Sequence, residues 1–199
     1  NGTQAITAAT WPRLAQGTKV LVAGIEAPLF YLSPGLINYQ IPYEVPLGPV
    51  QVAVIRDGYE SNTQTVTIAE SGIGVFGYPR TASDYDPIVI HLDATLVTPQ
   101  NPAKAGEFLL VFLTGVGPID GYPRSGLPVA LSPLPATLTS AQVTLAGAPV
   151  QALYLGMTPG FIGLAQLNIK MPDTLPAGNK LALKVQEGAS SHTVNLYVQ

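Results

Sequence analysis

Apolar residues along this chain come in short bursts that alternate with other positions or run unbroken, and the i, i+3, i+4 spacing of a helical face is hard to find. Val50, Val52 and Val54 alternate along one strand face, whereas Phe108 to Leu113 is continuously apolar. The pattern predicts strands near residues 18–23, 28–32, 36–41, 50–56, 63–68, 88–92, 107–114, 142–146, 150–155, 164–171, 180–186 and 192–198. Between them lie Pro46-Leu47-Gly48, Arg56-Asp57-Gly58, Asp120-Gly121, Pro176-Ala177-Gly178 and Glu187-Gly188. Such glycines, prolines and aspartates suit tight reversals. Many short strands spaced roughly ten residues apart describe β-sandwiches, not a parallel α/β sheet.

Self-comparison exposes a repeat. INYQIP (Ile37 to Pro42) matches LNIKMP (Leu167 to Pro172) at an offset of 130. The same offset carries Asn38 to Asn168, Pro46 to Pro176, Gly48 to Gly178, Gly58 to Gly188, Ser61 to Ser191 and Thr63 to Thr193. Upstream the offset is 123, where VLVAG (Val20 to Gly24) meets VTLAG (Val143 to Gly147) and Tyr31 meets Tyr154. The second copy therefore has about seven extra residues around Met157 to Gly163. Val50, Val52 and Val54 lie one step out of phase with Leu181, Leu183 and Val185 at offset 130. Because a one-residue slip turns a strand inside out, the second copy should be longer by one residue after Gly178 and shorter by one before Gly188.

The expected fold class is all-β, with tandem immunoglobulin-like β-sandwiches. Residues 1–72 form an incomplete first unit and 73–199 a full second one. About 70 residues, Ser71 to Ser140, precede the repeated half of copy two, against about 17 in copy one. The first unit therefore reads as front-truncated, with an exposed edge open to self-association.

Composition narrows the function. Hydrophobic residues make up 47% and charged ones only 11%, which fits sheets covering one another. Gly and Pro number 20 and 19, too many for long helices. Nine Lys and Arg against twelve Asp and Glu, none of the basic residues clustered, leave no stripe to neutralise phosphates. Nucleic acid and an anionic membrane are disfavoured as partners. The absence of Cys removes disulfides, thiolate nucleophiles and Cys-type zinc sites. Apolar runs fall far short of the ~20 residues of a membrane helix. No cofactor motif is present: TGVGP (Thr114 to Pro118) lacks the Lys of a phosphate loop.

Candidate chemistry is sparse. His91 shares a strand face with Val89, and His192 opens the last strand after Ser190-Ser191; a catalytic triad needs three converging groups, so both read as structural. Asp84, Asp86 and Asp93 offer oxygens suited to Ca²⁺, with a solvated turn as the plainer reading. Glu44, Glu60, Glu107 and Asp120 are the carboxylates from which a glycosidase pair would come, but nothing pairs them. Tyr39, Tyr43, Tyr59, Tyr78, Tyr85 and Tyr122 lie in or beside loops, where amphipathic rings stack on sugars or peptides. Of these, Tyr43, Tyr59, Tyr85 and Tyr122 are the ligand-binding candidates. Tyr31 and Tyr154 read as core, and Asn38 and Asn168 as strand-end fasteners.

GIEAPLFYLSPGLINYQIP (Gly24 to Pro42), TGVGP and GFIGLAQLNIKMP (Gly160 to Pro172) together resemble a C-terminal module of large secreted proteins of the acidobacterium Solibacter and its relatives. Leu36 departs from the family's usual Gln, which copy two keeps as Gln166. The resemblance implies an immunoglobulin-like double-β fold, export, a place at the end of longer chains and no catalytic residues. The expected function is a non-catalytic extracellular spacer or adhesion module facing a protein or glycan surface. The alternative is a carbohydrate-binding module using loop tyrosines, with Ca²⁺.

Overall fold

The computed structural model describes residues 4–5, 9–81, 85–121 and 124–199. Among them no helix forms, and the chain is all-β. It packs as two units. The first comprises Asn1–Glu70, Gly121–Pro135 and Thr158–Gly163, and the second Ser71–Asp120, Ala136–Met157 and Leu164–Gln199. The division therefore does not follow the single boundary at 72/73 expected from the sequence. Most of the extra residues that distinguish the second repeat copy, Thr158–Gly163, cluster with the first unit. The reason is backbone pairing: Gly160 N–H donates to Val129 O, and Trp11 N–H to Gly126 O.

The first unit holds β1 (Gln4–Ala5), β2 (Thr18–Val22), β3 (Ile25–Glu26), β4 (Leu29–Ser33), β5 (Leu36–Tyr39), β6 (Gly48–Arg56), β7 (Tyr59–Glu60) and β8 (Gln64–Ile68). One sheet runs β1-β4-β5; the other runs β3-β2-β6-β7, with β8 also on β6. Val20, Val22, Leu29, Leu32 and Val50 form the core between them, with Ile37, Tyr39, Val54 and Ile68 packed against it. Each such buried aliphatic side chain contributes about 1.5–3 kcal/mol.

The second unit holds β9 (Gly74–Val75), β10 (Gly77–Pro79), β11 (Tyr85–Pro87), β12 (Val89–His91), β13 (Phe108–Thr114), β14 (Gln142–Leu145), β15 (Ala148–Met157), β16 (Ala165–Lys170), β17 (Lys180–Glu187) and β18 (Ser190–Tyr197). Its main sheet runs β12-β13-β16-β15-β14-β17-β18, with β9 on β13, and β10 and β11 form a separate hairpin. The continuous run at Phe108 buries every second residue, Leu109, Val111 and Leu113, opposite the equally buried Leu167 and Ile169 of β16.

At one turn and one bulge in each unit, the local geometry is alike. β2–β3 and β14–β15 turn through Ala23-Gly24 (φ 51° and 79°) and Ala146-Gly147 (φ 48° and 85°), the left-handed pair that a two-residue hairpin needs. Tyr31 pairs with Asn38, and Tyr154 with Asn168. Register slips between Leu29 and Tyr31, and again between Ala152 and Tyr154, so Phe30 and Leu153 are the extra, exposed residues of two bulges. The difference is also legible. Pro28 has no N–H to give a ladder, so β3 and β4 are separate strands where β15 is continuous.

The phase shift resolves differently from expectation. β6 and β17 face inward with residues 131 apart, as Val50 pairs with Val66 and Leu181 with Leu196. The compensating residue lies beyond the turn, not before it. Ile55 pairs with Glu60 but Val52 with Gln64, and Ser61 N–H donates to Val54 O. Asn62 and Thr63 together oppose Ala53, a bulge confined to the first unit. Gly58 is thus the second turn residue after Arg56, whereas Gly188 is the first after Glu187.

Candidate functional site

A cleft of about 590 Å³ opens in the first unit, lined among others by Trp11, Arg13, Glu44, Arg124, Ser125 and Leu127. Three segments meet there, and each is tied down by hydrogen bonds that irregular backbone requires. Trp11 N–H donates to Gly126 O, and Leu29 N–H to Pro12 O. Gly126 N–H donates to Gln40 Oε1 at 2.8 Å. Tyr43 N–H donates to Ser125 Oγ at 2.9 Å, and that hydroxyl donates in turn to Glu44 Oε2 at 2.8 Å. Arg13 donates to Glu26 O and to Ser125 O. Gly126 has φ +80°, and a Cβ there would lie 3.0 Å from Pro28 and 3.1 Å from Trp11 O, so glycine is what lets the loop seat.

Trp11 is half-buried and stacks on Phe30 with ring centroids 4.8 Å apart and planes 28° from parallel. The bulge at β4 aims Phe30 outward to meet it. Beside the cleft, burial pushes the Tyr43 hydroxyl up to about 12, partly offset by the Gln40 amide and reinforced by the Glu44 charge. Tyr43 is consequently neutral beside the cleft.

The described tyrosine candidates are divided between the two units. Tyr43 stands beside this cleft; Tyr59, 82% exposed, sits at the β6–β7 hairpin of the same unit; Tyr85, 59% exposed, lies on β11 of the second unit. Tyr122 and Asp84 lie outside the described residues. Asp86 is buried and faces Arg80 at 3.6 Å and Lys180 at 3.5 Å, with the Lys180 ammonium 4.7 Å over the Tyr197 ring. Asp93 accepts from Thr95 N–H at 3.0 Å and Thr95 Oγ at 2.6 Å, bonds that hold its carboxyl below the usual range. Among the described residues no three His or acidic groups gather as a metal would require.

His91, His192 and Glu107 make hydrogen bonds within the second unit. His91 Nδ1 lies 3.2 Å from Glu107 Oε2 and Nε2 3.2 Å from Asn101 O; Glu107 Oε1 also accepts from Lys104 N–H. His192 Nδ1 accepts from Val75 N–H at 2.8 Å, which requires the neutral ring with its proton on Nε2. Ser190 Oγ accepts from Ile73 N–H at 2.8 Å. Side chains of β18 thus satisfy the backbone of the approaching segment. Asp120 and Glu60 are exposed.

TGVGP has a specific use. Gly117 N–H donates to Glu187 Oε2 at 2.7 Å, and Thr139 Oγ donates to the other oxygen. This carboxyl group, 1% exposed, is seated on a backbone N–H. Gly115, φ +72°, abuts Gly72, whose N–H donates to Gly115 O at 2.7 Å.

Sequence reasoning missed Trp11, Arg13, Arg124 and Ser125 because they belong to segments without strand signals, far apart in the chain. The single tryptophan was the signal available, since an aromatic outside any strand has no sheet to cover. Comparison with known proteins finds no matching family model, no matching curated protein and no matching solved structure.

Proposed function

We propose that this chain is a non-catalytic extracellular β-sandwich module, two related immunoglobulin-like units acting as a spacer or adhesion element of a larger secreted protein. The resemblance to the Solibacter-type C-terminal module belongs to the same proposal. One observation carries it: the groups that do chemistry elsewhere are here engaged in holding strands together. Both nitrogens of His91 face acceptors, His192 receives a backbone N–H, and Glu187 is sealed against Gly117 and Thr139. Among the described residues the cleft has one carboxylate in its lining, Glu44, whereas glycoside hydrolysis generally uses two.

The cleft itself favours the binding-module alternative in one respect, an aromatic face beside polar groups. Incubating the chain with chromogenic glycosides, esters and peptides is expected to give no turnover. Turnover that disappears in Glu44→Gln or His91→Ala would overturn the non-catalytic reading.

A further inference from the structure

We propose that the cleft of the first unit binds acidic saccharides, chains carrying uronate carboxylates. Trp11 supplies the stacking face, Arg124 the carboxylate contact and Glu44 the acceptor for ring hydroxyls. The inference rests on the reading of the chain as a binding module and names its ligand class.

Charge comes first. The chain carries a net −3, yet among the described residues the cleft lining sets two guanidinium groups against one carboxylate. Arg13 spends its donors on the carbonyls of Glu26 and Ser125, neutral acceptors that leave its charge in place. Arg124 is exposed at the rim and forms no ion pair among the described residues. Its planar fork matches a carboxylate bidentately, and such charge-assisted bonds are roughly twice as strong as neutral ones.

The sugar ring follows from the rest of the lining. Trp11 is held from its backbone by Gly126 and from its ring by Phe30, so a stacking partner costs it little ordering. Glu44 is oriented through one oxygen by Ser125, itself fixed by Tyr43 N–H, leaving the other oxygen for a hydroxyl. An apolar face flanked by a fixed acceptor and a cation suits the alternating C–H and O–H surfaces of a pyranose. The cleft is open, which admits a segment of polymer, and its volume is within the roughly 300–1,000 Å³ of small-ligand sites.

Calorimetric titration of the intact chain with galacturonate hexamers, and with the same hexamers methyl-esterified, tests this. The ester keeps shape and removes charge. The acid form is expected to bind at least ten-fold more tightly than the ester, and more weakly as salt is raised. Arg124→Gln, an exposed change that leaves the fold intact, is expected to lower acid binding about ten-fold and erase the preference; Trp11→Ala, checked for folding by circular dichroism, is expected to abolish both. Equal binding of acid and ester, unaltered binding in Arg124→Gln, or no binding at all would overturn the proposal. Cleavage of the hexamer would instead overturn the non-catalytic reading and leave the cleft's ligand standing.

Discussion

Alanine at Gly115 is expected to destabilise the second unit far more than alanine at Gly147, although both glycines have φ well above zero. At Gly147, φ +85°, a new Cβ meets no atom within 4 Å. Its cost is the left-handed strain alone, about 1–2 kcal/mol. At Gly115, φ +72°, the same strain applies, and the Cβ would also lie 1.9 Å from Gly72 O and 2.5 Å from Gly72 C. Backbone cannot swing aside as a flexible side chain does, so the two segments must separate. Separation breaks the Gly72 N–H to Gly115 O bond of 2.7 Å, worth about 0.5–1.5 kcal/mol. It also loosens Ile73 and Val75, 7% and 8% exposed. Strain and the lost bond together cost about 1.5–3.5 kcal/mol before any loss of packing, a large share of the roughly 5–15 kcal/mol that stabilises a domain. Urea unfolding followed by far-ultraviolet circular dichroism gives the two differences, and hydrogen exchange at Gly72, Ile73 and Val75 locates them. Equal losses for the two variants, with unchanged protection at Gly72, would refute the close-approach reasoning.

Glu187→Ala strands the buried Gly117 N–H and is expected to cost about 1–3 kcal/mol by denaturant melts, with Glu187→Gln, which keeps one acceptor, intermediate. Ala146→Asn places a residue that tolerates φ near 48° at the β14–β15 turn and is expected to raise stability by about 0.5–1 kcal/mol in the same assay. Tyr43, with its hydroxyl at about 12, is expected to ionise last in an alkaline absorbance titration. Since the unfolded phenol ionises near 10, its contribution is intact below that pH and falls as pH rises from about 10 to about 12. Tyr43→Phe is expected to flatten that slope.

The strands were legible because period-two and continuous apolar runs report burial directly. The runs at 18–23, 107–114 and 164–171 fall within a residue or two of β2, β13 and β16. What escaped were two- and three-residue strands such as β9 and β10, too short to carry a period. The alignment matched Ala23-Gly24 to Ala146-Gly147 without marking either pair as a turn, and both pairs turn through left-handed φ values. It misplaced the compensating residue near Gly188, because a bulge at Asn62-Thr63 has no signature beyond small polar residues. The cleft was hidden for a different reason. Trp11, Glu44 and Ser125 are brought together by backbone bonds among irregular segments, and no periodicity encodes such long-range closure. Single residues were the least legible for the same reason: Asp86 and Asp93 look alike in sequence, yet one is buried between two cations and the other caps a turn.

One measurement bears most directly on whether this chain binds rather than reacts. The intact chain is titrated with galacturonate hexamers in a calorimeter, and the cell contents are then held overnight and weighed by mass spectrometry. Saturable heat with every hexamer recovered whole is the predicted result. Shortened oligomers, or no heat from wild type under conditions where its circular dichroism shows a folded chain, would contradict it.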